Sequence, residues 1–248
     1  RTNIKRLHVH SEKSAAYMAD GYARVSHKPA ICMAQIIGAL NIAAGLRDAF
    51  LAHSPVIALT GGREPKTKFK KVYQEIDDMP AFEPVTKFNA TIDDVNRFSD
   101  MMEQAFRVAT SGSPGPVHLQ FRGNEAQIDL EETEVEVTIN EINIQIPPHR
   151  PICADRVLKK ALEAIQKATK PIIVAGGGAR HSGCSKELLT FAEKLSIPIA
   201  TSLNGKDLIK SNHPLSCGVV GTYSRESANL SVKEADLVIF IGSETGSM

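Results

Sequence analysis

The chain has 248 residues, more than one domain usually holds and enough for two that each bury a core. Hydrophobic residues make up 42% and charged residues 23%, which excludes a disordered, collagen-like or coiled-coil chain. With 29 Lys and Arg against 28 Asp and Glu the formal net charge is +1, so no general pull toward nucleic acid or an anionic membrane is expected. No apolar run approaches the roughly eighteen residues of a bilayer span, and the opening RTNIKRLHVH has no signal-peptide core; the expectation is a cytoplasmic protein. Cys32, Cys153, Cys184 and Cys217 are far apart and form no C-x-x-C, so they read as free thiols rather than a zinc or redox centre. An Arg at the first position, and an end just past an apolar strand, read as a piece cut at both ends.

Helical and strand patterns alternate along the chain. Arg6 to His10 can form a strand, Ser11 is a plausible N-cap, and Ala15, Ala16, Met18, Ala19, Tyr22 and Ala23 follow at helical spacing. A short strand at Ala30 to Ala34, a helix from Ala39 to Ala52 and an apolar strand Val56 to Leu59 ending in Gly61-Gly62 come next. Residues 63–89 show no clean period and read as a loop-rich excursion. A third helix starts at Asp93 or Asp94 and runs through Val108, closed by the turn Ser111 to Pro116 and a strand Val117 to Phe121.

Residues from about 129 to 151 change character, with acidic and β-branched residues alternating at Glu134 to Thr138 and prolines at 147, 148 and 151, as a connecting segment does. Beyond it come a helix from Ala154 to Ala168, a strand Ile172 to Ala175, glycines 176 to 178, a helix near Ser185 to Leu195 and a strand Ile197 to Thr201. A loop, a helix and a last strand near Val238 to Ile241 complete the series. Repeated β-α-β units require a mostly parallel sheet covered by helices. The expectation is α/β, with two parallel-sheet domains at residues 1–128 and 153–248 and a linker at 129–152.

Parallel sheets bind ligands at the carboxyl ends of their strands, so charged residues at strand-to-helix junctions are the first candidates. Glu12 is such a residue. On spacing alone its plainer role is a favourable charge at a helix N-terminus, worth a few tenths to about 1 kcal/mol. His8 and His10 would share one strand face, but no third ligand is near, and a hydrogen-bonded pair is the simpler interpretation. Lys66, Lys68, Lys70 and Lys71 form a basic cluster read as solvated surface, with contact to an anionic substrate or cofactor tail as the alternative.

A dense set of motifs adds to this. Glu12-Lys13-Ser14-Ala15-Ala16-Tyr17-Met18-Ala19-Asp20-Gly21-Tyr22-Ala23-Arg24 resembles the E-x-x-A-A-x-M-A-x-G-Y-A-R signature of thiamine-diphosphate enzymes of the acetolactate synthase type. Gly38-Ala39-Leu40-Asn41 with Gly45, Ser54 to Gly61, Tyr73-Gln74-Glu75, Pro84-Val85-Thr86-Lys87 and Thr110 to Val117 are similar to further family stretches, in the same order. Ile197 to Lys206 and Ala235 to Gly242 resemble its central domain.

The resemblance covers nearly the whole chain and implies a pyrimidine-binding domain, incomplete at its N-terminus, followed by a truncated Rossmann-like central domain. The family's third domain, whose Gly-Asp-Gly…Asn-Asn motif holds Mg²⁺ and the diphosphate, has no counterpart here. The resemblance implies a cofactor site shared between subunits of a homodimer or homotetramer. It makes Glu12 the catalytic residue: a carboxyl group bonded to the pyrimidine N1′ favours the imino tautomer, placing a base beside the thiazolium carbon. Gly38 and Asn41 are implied as cofactor neighbours. Gln74 and Lys87 are implied near the substrate entrance, their plainer role being solvated surface as turn geometry is for Gly38; Gln35, where the chain departs from the family, is a further candidate for a hydrogen bond to a substrate carbonyl. The substrate expected is a small 2-oxo acid or related carbonyl, with no nucleic acid or membrane partner.

Two departures stand out. The family's S-G-P-G-A-T-N is here Gln35-Ile36-Ile37-Gly38-Ala39-Leu40-Asn41, exchanging a glycine and a proline for a bulkier apolar edge. This keeps a thiamine-diphosphate-dependent C–C hydrolase or 2-hydroxyacyl lyase open beside a carboligase. FAD, which the family's synthases bind without redox use, is possible. However, Ser113 stands where they have arginine, Ala175-Gly176-Gly177-Gly178-Ala179-Arg180 lacks G-x-G-x-x-G spacing, and Gly221-Thr222-Tyr223-Ser224 differs from the flavin contacts. A non-catalytic module without cofactor is the alternative of another class; retention of Glu12, a carboxylate costly to bury unpaired, speaks against it.

Overall fold

The computed structural model describes residues 4–123 and 140–246. The chain divides into two compact units, Arg1–Pro148 and His149–Met248. Each is built on a four-stranded parallel sheet, so the α/β class expected from the alternating pattern is what the structure shows. The acidic, β-branched run at Glu134 to Thr138 lies outside the described residues.

In the first unit the elements are α1 (Glu12–Ser26), β1 (Ala30–Ala34), α2 (Ala39–Leu51), β2 (Val56–Gly61), α3 (Met79–Phe82), β3 (Phe88–Ile92), α4 (Phe98–Thr110) and β4 (Val117–Phe121). The sheet order is β1-β2-β4-β3. All residues of β2 and β4 are buried, as central parallel strands covered on both faces must be. Alternation along β2 divides the core. Val56 and Ala58 pack with the alanines of α1 and α2 and with Phe82, whereas Ile57 and Leu59 face the other way, with Met101, Ala105 and Ala109 of α4.

Several details depart from the sequence pattern. Residues 4–9 form no strand, and Leu7 is exposed: its alternation with Val9 suits a pleat, but a strand needs a ladder partner and residues 4–9 join neither sheet. With no strand, His8 and His10 do not share a strand face, and no hydrogen bond joins them among the described residues. Ser11 does occupy the N-cap of α1 in extended backbone, although its hydroxyl makes no capping bond. The stretch 63–89 is less irregular than expected, because it contains α3 and the start of β3. Asp94 caps a single 3₁₀ turn, accepting from the Asn96 amide at 2.9 Å, before α4 begins at Phe98.

The second unit runs α5 (Asp155–Lys167), β5 (Pro171–Ala175), α6 (Gly177–His181), α7 (Ser185–Leu195), β6 (Ile199–Thr201), β7 (Ser216–Val219), α8 (Glu226–Glu234) and β8 (Leu237–Ile241). Its order is β7-β6-β5-β8. The short α6 and β7 go beyond the sequence pattern. β7 falls in a stretch expected as loop, because a half-buried SCGV carries no apolar run. The glycines after β5 serve a close backbone approach. A Cβ on Gly176 would meet the Gly242 carbonyl oxygen at 2.3 Å, and one on Gly178 would meet the Gly242 Cα at 3.0 Å. The amides of Gly176 and Gly178 donate to Ile241 and Gly242 at 2.9 Å each, so the glycine run closes the end of β5 onto the end of β8.

One polar group sits deep in the first unit. His118 on β4 is fully buried, stacks on Phe82 with ring centroids 3.5 Å apart, and meets the Thr60 hydroxyl at 2.8 Å and Asn89 Oδ1 at 2.7 Å. Burial pushes its imidazole down to about 3. Between the ordinary value near 6.5 and about 3, the unfolded chain binds a proton that the folded chain does not. Stability from this group is therefore complete above the ordinary value and falls with pH, by about 1.4 kcal/mol per pH unit inside the window. The unfolding free energy of wild type minus that of His118→Gln should decline steadily from pH 6.5 to 4; a difference that stays constant over that range would show that the histidine is not buried neutral.

Candidate active site

The Glu12 carboxylate is delivered by two helices, α1 and α2, that touch through small side chains. Ala16, Ala19 and Ala23 of α1 and Ala39, Ala43, Gly45 and Ala49 of α2 are all buried. A Cβ on Gly45 would fall 2.6 Å from the Ala16 Cβ and 2.9 Å from the Lys13 carbonyl oxygen. Only glycine permits that approach. The contact brings the first turn of α1, and with it Glu12, against the first turn of α2.

There Glu12 is held on two sides. Asn41 Nδ2 donates to Glu12 Oε2 at 3.0 Å across 29 residues of sequence. Gly38, the N-cap of α2, lies beneath the side chain: a Cβ there would come within 2.5 Å of Glu12 Cγ and 2.9 Å of Oε1. Gly38 has φ −88°, which any residue adopts, so glycine is required by the carboxylate above it and not by a turn. The carboxylate also sits at the positive end of α2, an interaction worth a few tenths to about 1 kcal/mol. Glu12 is half-buried, so it is neither lost in the core nor free in solvent. Oε2 is taken by Asn41, whereas Oε1, over Gly38, has no hydrogen-bond partner among the described residues.

The loop before α2 leaves the carboxyl end of β1, where α/β sheets place ligands. Gln35 begins it, is exposed, and accepts from the Gly38 amide through its carbonyl at 3.0 Å. Ile36 is buried and Ile37 exposed, so the substituted turn survives as one 3₁₀ turn with a single apolar side chain at the edge.

Among the described residues no hydrogen bond or ion pair joins Gln74 or Lys87 to Glu12. Gln74 is half-buried in the loop after β2, with φ 65°. Lys87 is engaged elsewhere. Its ammonium donates to the Val108 and Ser111 carbonyl oxygens at 2.6 and 2.7 Å, closing the C-terminus of α4. Desolvation there pushes it below the ordinary lysine value. Ser113 is paired with His53 Nδ1 at 2.9 Å.

Sequence reasoning passed over a second polar group on this unit. Gln120 on β4 donates to Asp78 Oδ1 at 2.6 Å, and both are almost wholly buried, with Asp78 Oδ2 lacking a partner among the described residues. Burial pushes the Asp78 carboxyl up, against the lowering effect of the Gln120 bond. A visible signal existed: Val117-His118-Leu119-Gln120-Phe121 puts two polar residues on one face of an otherwise apolar central strand, and such residues need buried partners.

Comparison with known proteins follows the same division. The family described as thiamine pyrophosphate enzyme, N-terminal TPP binding domain, matches residues 1–81, and that described as thiamine pyrophosphate enzyme, central domain, matches residues 158–248. The chain belongs to the thiamine pyrophosphate enzymes. Its curated relatives include a probable acetolactate synthase large subunit of Methanocaldococcus jannaschii, 37% identical over 93% of this chain and 39% of the relative. An acetolactate synthase of Arthrospira platensis is 35% identical over 96% of this chain and 42% of the relative. The chain thus spans about two fifths of the length of the relatives it matches. A solved structure from Mycobacterium smegmatis, described as that of a "putative thiamin diphosphate-dependent enzyme", shares the fold at TM-score 0.74 and 24% identity, over 95% of this chain and 44% of that one.

Two substitutions separate the roles of the glycines. Gly45→Ala forces a Cβ against backbone and should destabilise the first unit by about 1–3 kcal/mol. Gly38→Ala meets only the movable Glu12 side chain, so the stability loss should stay near 1 kcal/mol or less. Displacing the carboxylate should nonetheless weaken thiamine diphosphate binding by the full-length protein at least about tenfold. Denaturant titration and calorimetry read the two effects, and a Gly38→Ala protein with unaltered affinity would remove Glu12 from the site.

Proposed function

We propose that the full-length protein is a thiamine-diphosphate-dependent carboligase or lyase acting on 2-oxo acids, acetolactate synthase-like, with Glu12 as the residue that activates the cofactor. The observation that carries this is the Glu12 carboxylate pinned by Asn41 over the bare backbone of Gly38. The supporting comparison is the match to the N-terminal TPP binding domain family together with relatives named acetolactate synthase.

The residues present fit an aminopyrimidine. A ring nitrogen needs one partner of fixed direction, and Glu12 Oε1, held over the Gly38 backbone while Asn41 occupies Oε2, is such a group. Thiamine diphosphate, when bound, supplies the carbon that adds to a 2-oxo acid carbonyl and takes up the electron pair left as carbon dioxide departs. Glu12 would hold a proton at a ring nitrogen of the pyrimidine. Asn41 would keep the carboxyl group from turning, because a donor on Oε2 fixes the plane in which Oε1 points. Gln35, exposed at the carboxyl end of β1, would orient the substrate carbonyl through its amide. Mg²⁺ and the diphosphate would be held by groups outside this chain, in a homodimer or homotetramer, and we read the protein as cytoplasmic.

FAD is a poor fit to this chain. Ser113 offers a single hydroxyl already paired with His53, where a guanidinium would grip a phosphate at two points. The glycines at 176 and 178 are filled by the end of β8, which leaves a dinucleotide no bare backbone to approach there.

A second reading within the same chemistry, a C–C hydrolase or 2-hydroxyacyl lyase, is favoured by one observation. Ile37 is 60% exposed at the edge of the Gln35 turn and presents a bulkier apolar surface than a glycine-proline turn would. The assay that decides is incubation of the full-length protein with thiamine diphosphate, Mg²⁺ and pyruvate, following carbon dioxide and condensation products. Glu12→Gln should lower turnover at least about 100-fold while the unfolding temperature falls by no more than about 4 °C; turnover retained in that variant would end the assignment. Gln35→Ala should change KM or kcat, and unaltered values would remove it from the substrate. Silence with pyruvate but cleavage of a diketone would shift the conclusion to the hydrolase.

A further inference from the structure

Open parallel sheets take dinucleotides in the crevice outside their carboxyl ends, at the point where the strand order changes direction. In the second unit that point falls between β5 and β8, because β6 and β7 stand on one side of β5 and β8 on the other. FAD, which the resemblance to acetolactate synthases implies, would need two things of such a crevice. Amides must converge on its pyrophosphate, and bare backbone must lie open beneath it. Both are already taken.

The amides at the end of β5 are spent within the unit. Gly176 donates to the Ile241 carbonyl and Gly178 to the Gly242 carbonyl, each at 2.9 Å, while Ala179 and Arg180 both turn back to the Gly176 carbonyl at 3.1 and 3.4 Å. Backbone also fills the crevice. Gly242, at φ 59°, lies so near α6 that a Cβ on it would overlap the Ala179 amide. From the other side the turn after β6 closes in: a Cβ on Gly205 would fall 2.7 Å from the Ala175 carbonyl oxygen and 3.0 Å from the Gly176 carbonyl carbon. Ser202 in that turn donates its amide to the Ala175 carbonyl at 2.9 Å. Glycine at 176, 178, 205 and 242 therefore lets three strand ends touch, and that contact occupies the space a pyrophosphate would enter.

The side chains around this crevice are engaged as well. Arg180, the cation beside the glycine run, donates through Nε to Asp207 Oδ2 at 2.8 Å. The turn after β7 is drawn back onto α8. Asn229 accepts from the Gly221 amide at 3.0 Å and donates to the Gly221 carbonyl at 3.1 Å and the Ser224 hydroxyl at 2.9 Å. A phosphate would have to break such bonds before making its own, which cancels most of what a charge-assisted contact gains.

We propose that the protein works without flavin: its second unit has shut the dinucleotide crevice with its own backbone, and the thiamine-dependent reaction proceeds with no FAD bound. For the reaction this rests on the function proposed above. The closure itself stands on β5, β8 and the turn after β6 alone.

The test is calorimetric titration of the full-length protein with FAD, in excess thiamine diphosphate and Mg²⁺, beside the visible spectrum of the freshly purified protein. No flavin absorbance and no saturable heat up to about 100 μM FAD are expected, and added FAD should leave the unfolding temperature where it was. Carbon dioxide release from pyruvate should be equal with and without FAD. Ser113→Arg supplies the guanidinium of the resembling synthases and should still bind no FAD, because the crevice stays shut. Copurifying flavin, saturable binding in that range, an unfolding temperature raised by FAD, or turnover that depends on FAD would each overturn the proposal. FAD binding by the Ser113→Arg protein would overturn it too, since the missing guanidinium and not the closed crevice would then be what excludes flavin. Failure of thiamine diphosphate to bind, or of pyruvate to release carbon dioxide under any of these conditions, would overturn the carboligase reading alone; the spectrum and the FAD titration would still decide the closure.

Discussion

The closeness with which α1 can lie against α2 governs the candidate active site. Helices with ordinary side chains keep their axes about 8–10 Å apart, a spacing that would carry Glu12 away from the first turn of its neighbour. Alanines along both contact faces, and Gly45 beneath Ala16, allow backbone to meet side chain directly. The N-terminus of one helix then hands a carboxylate to the N-terminus of the other, where an amide donor and the end of the helix dipole both favour negative charge. A packing requirement and a chemical requirement meet in the same pair of helices.

The sheet supplies the platform on which this pair is oriented. β2 buries side chains on both faces, with the alanine-rich helices on one side and α4 on the other. The face toward α1 and α2 is unusual in carrying polar residues as well. His118 is satisfied by Thr60 and Asn89, and Gln120 by Asp78, so two side chains of β4 reach segments far away in sequence. Buried polar groups of this kind allow few alternative packings, because every displaced partner leaves an unsatisfied group in a dry interior. They hold α3 and the base of the loop at 63–78 to the carboxyl half of the sheet, on the same edge as the turn that precedes α2.

The main elements were legible from periodicity. Helices α1, α2, α4, α5, α7 and α8 and the strands β1, β2, β4, β5, β6 and β8 all follow apolar patterns strong enough to read in one dimension. The two strands overlooked, β3 and β7, are both edge strands. β7 is a half-buried Ser-Cys-Gly-Val with little apolar surface to advertise it, whereas β3 alternates Phe88, Ala90 and Ile92 with Asn89 and Thr91 and was passed over inside a stretch read as irregular. The converse error also occurs. Arg6 to His10 alternates as a strand should, yet residues 4–9 join neither sheet, and alternation cannot report whether a ladder partner exists.

Order along the chain was enough to determine the α/β class, the position of Glu12 at a helix start, and the likeness to thiamine pyrophosphate enzymes, since each is a matter of local spacing and residue type. The pairing of Asn41 with Glu12, the need for glycine at position 38, the use of Lys87 to close α4, and the engagement of Gly176 and Gly178 by Gly242 were decided only when the helices and strands came together. Each of these depends on which atom arrives within about 3 Å of another from a distant part of the chain, and such approaches are set by the packing of whole elements, not by any residue's neighbours in sequence.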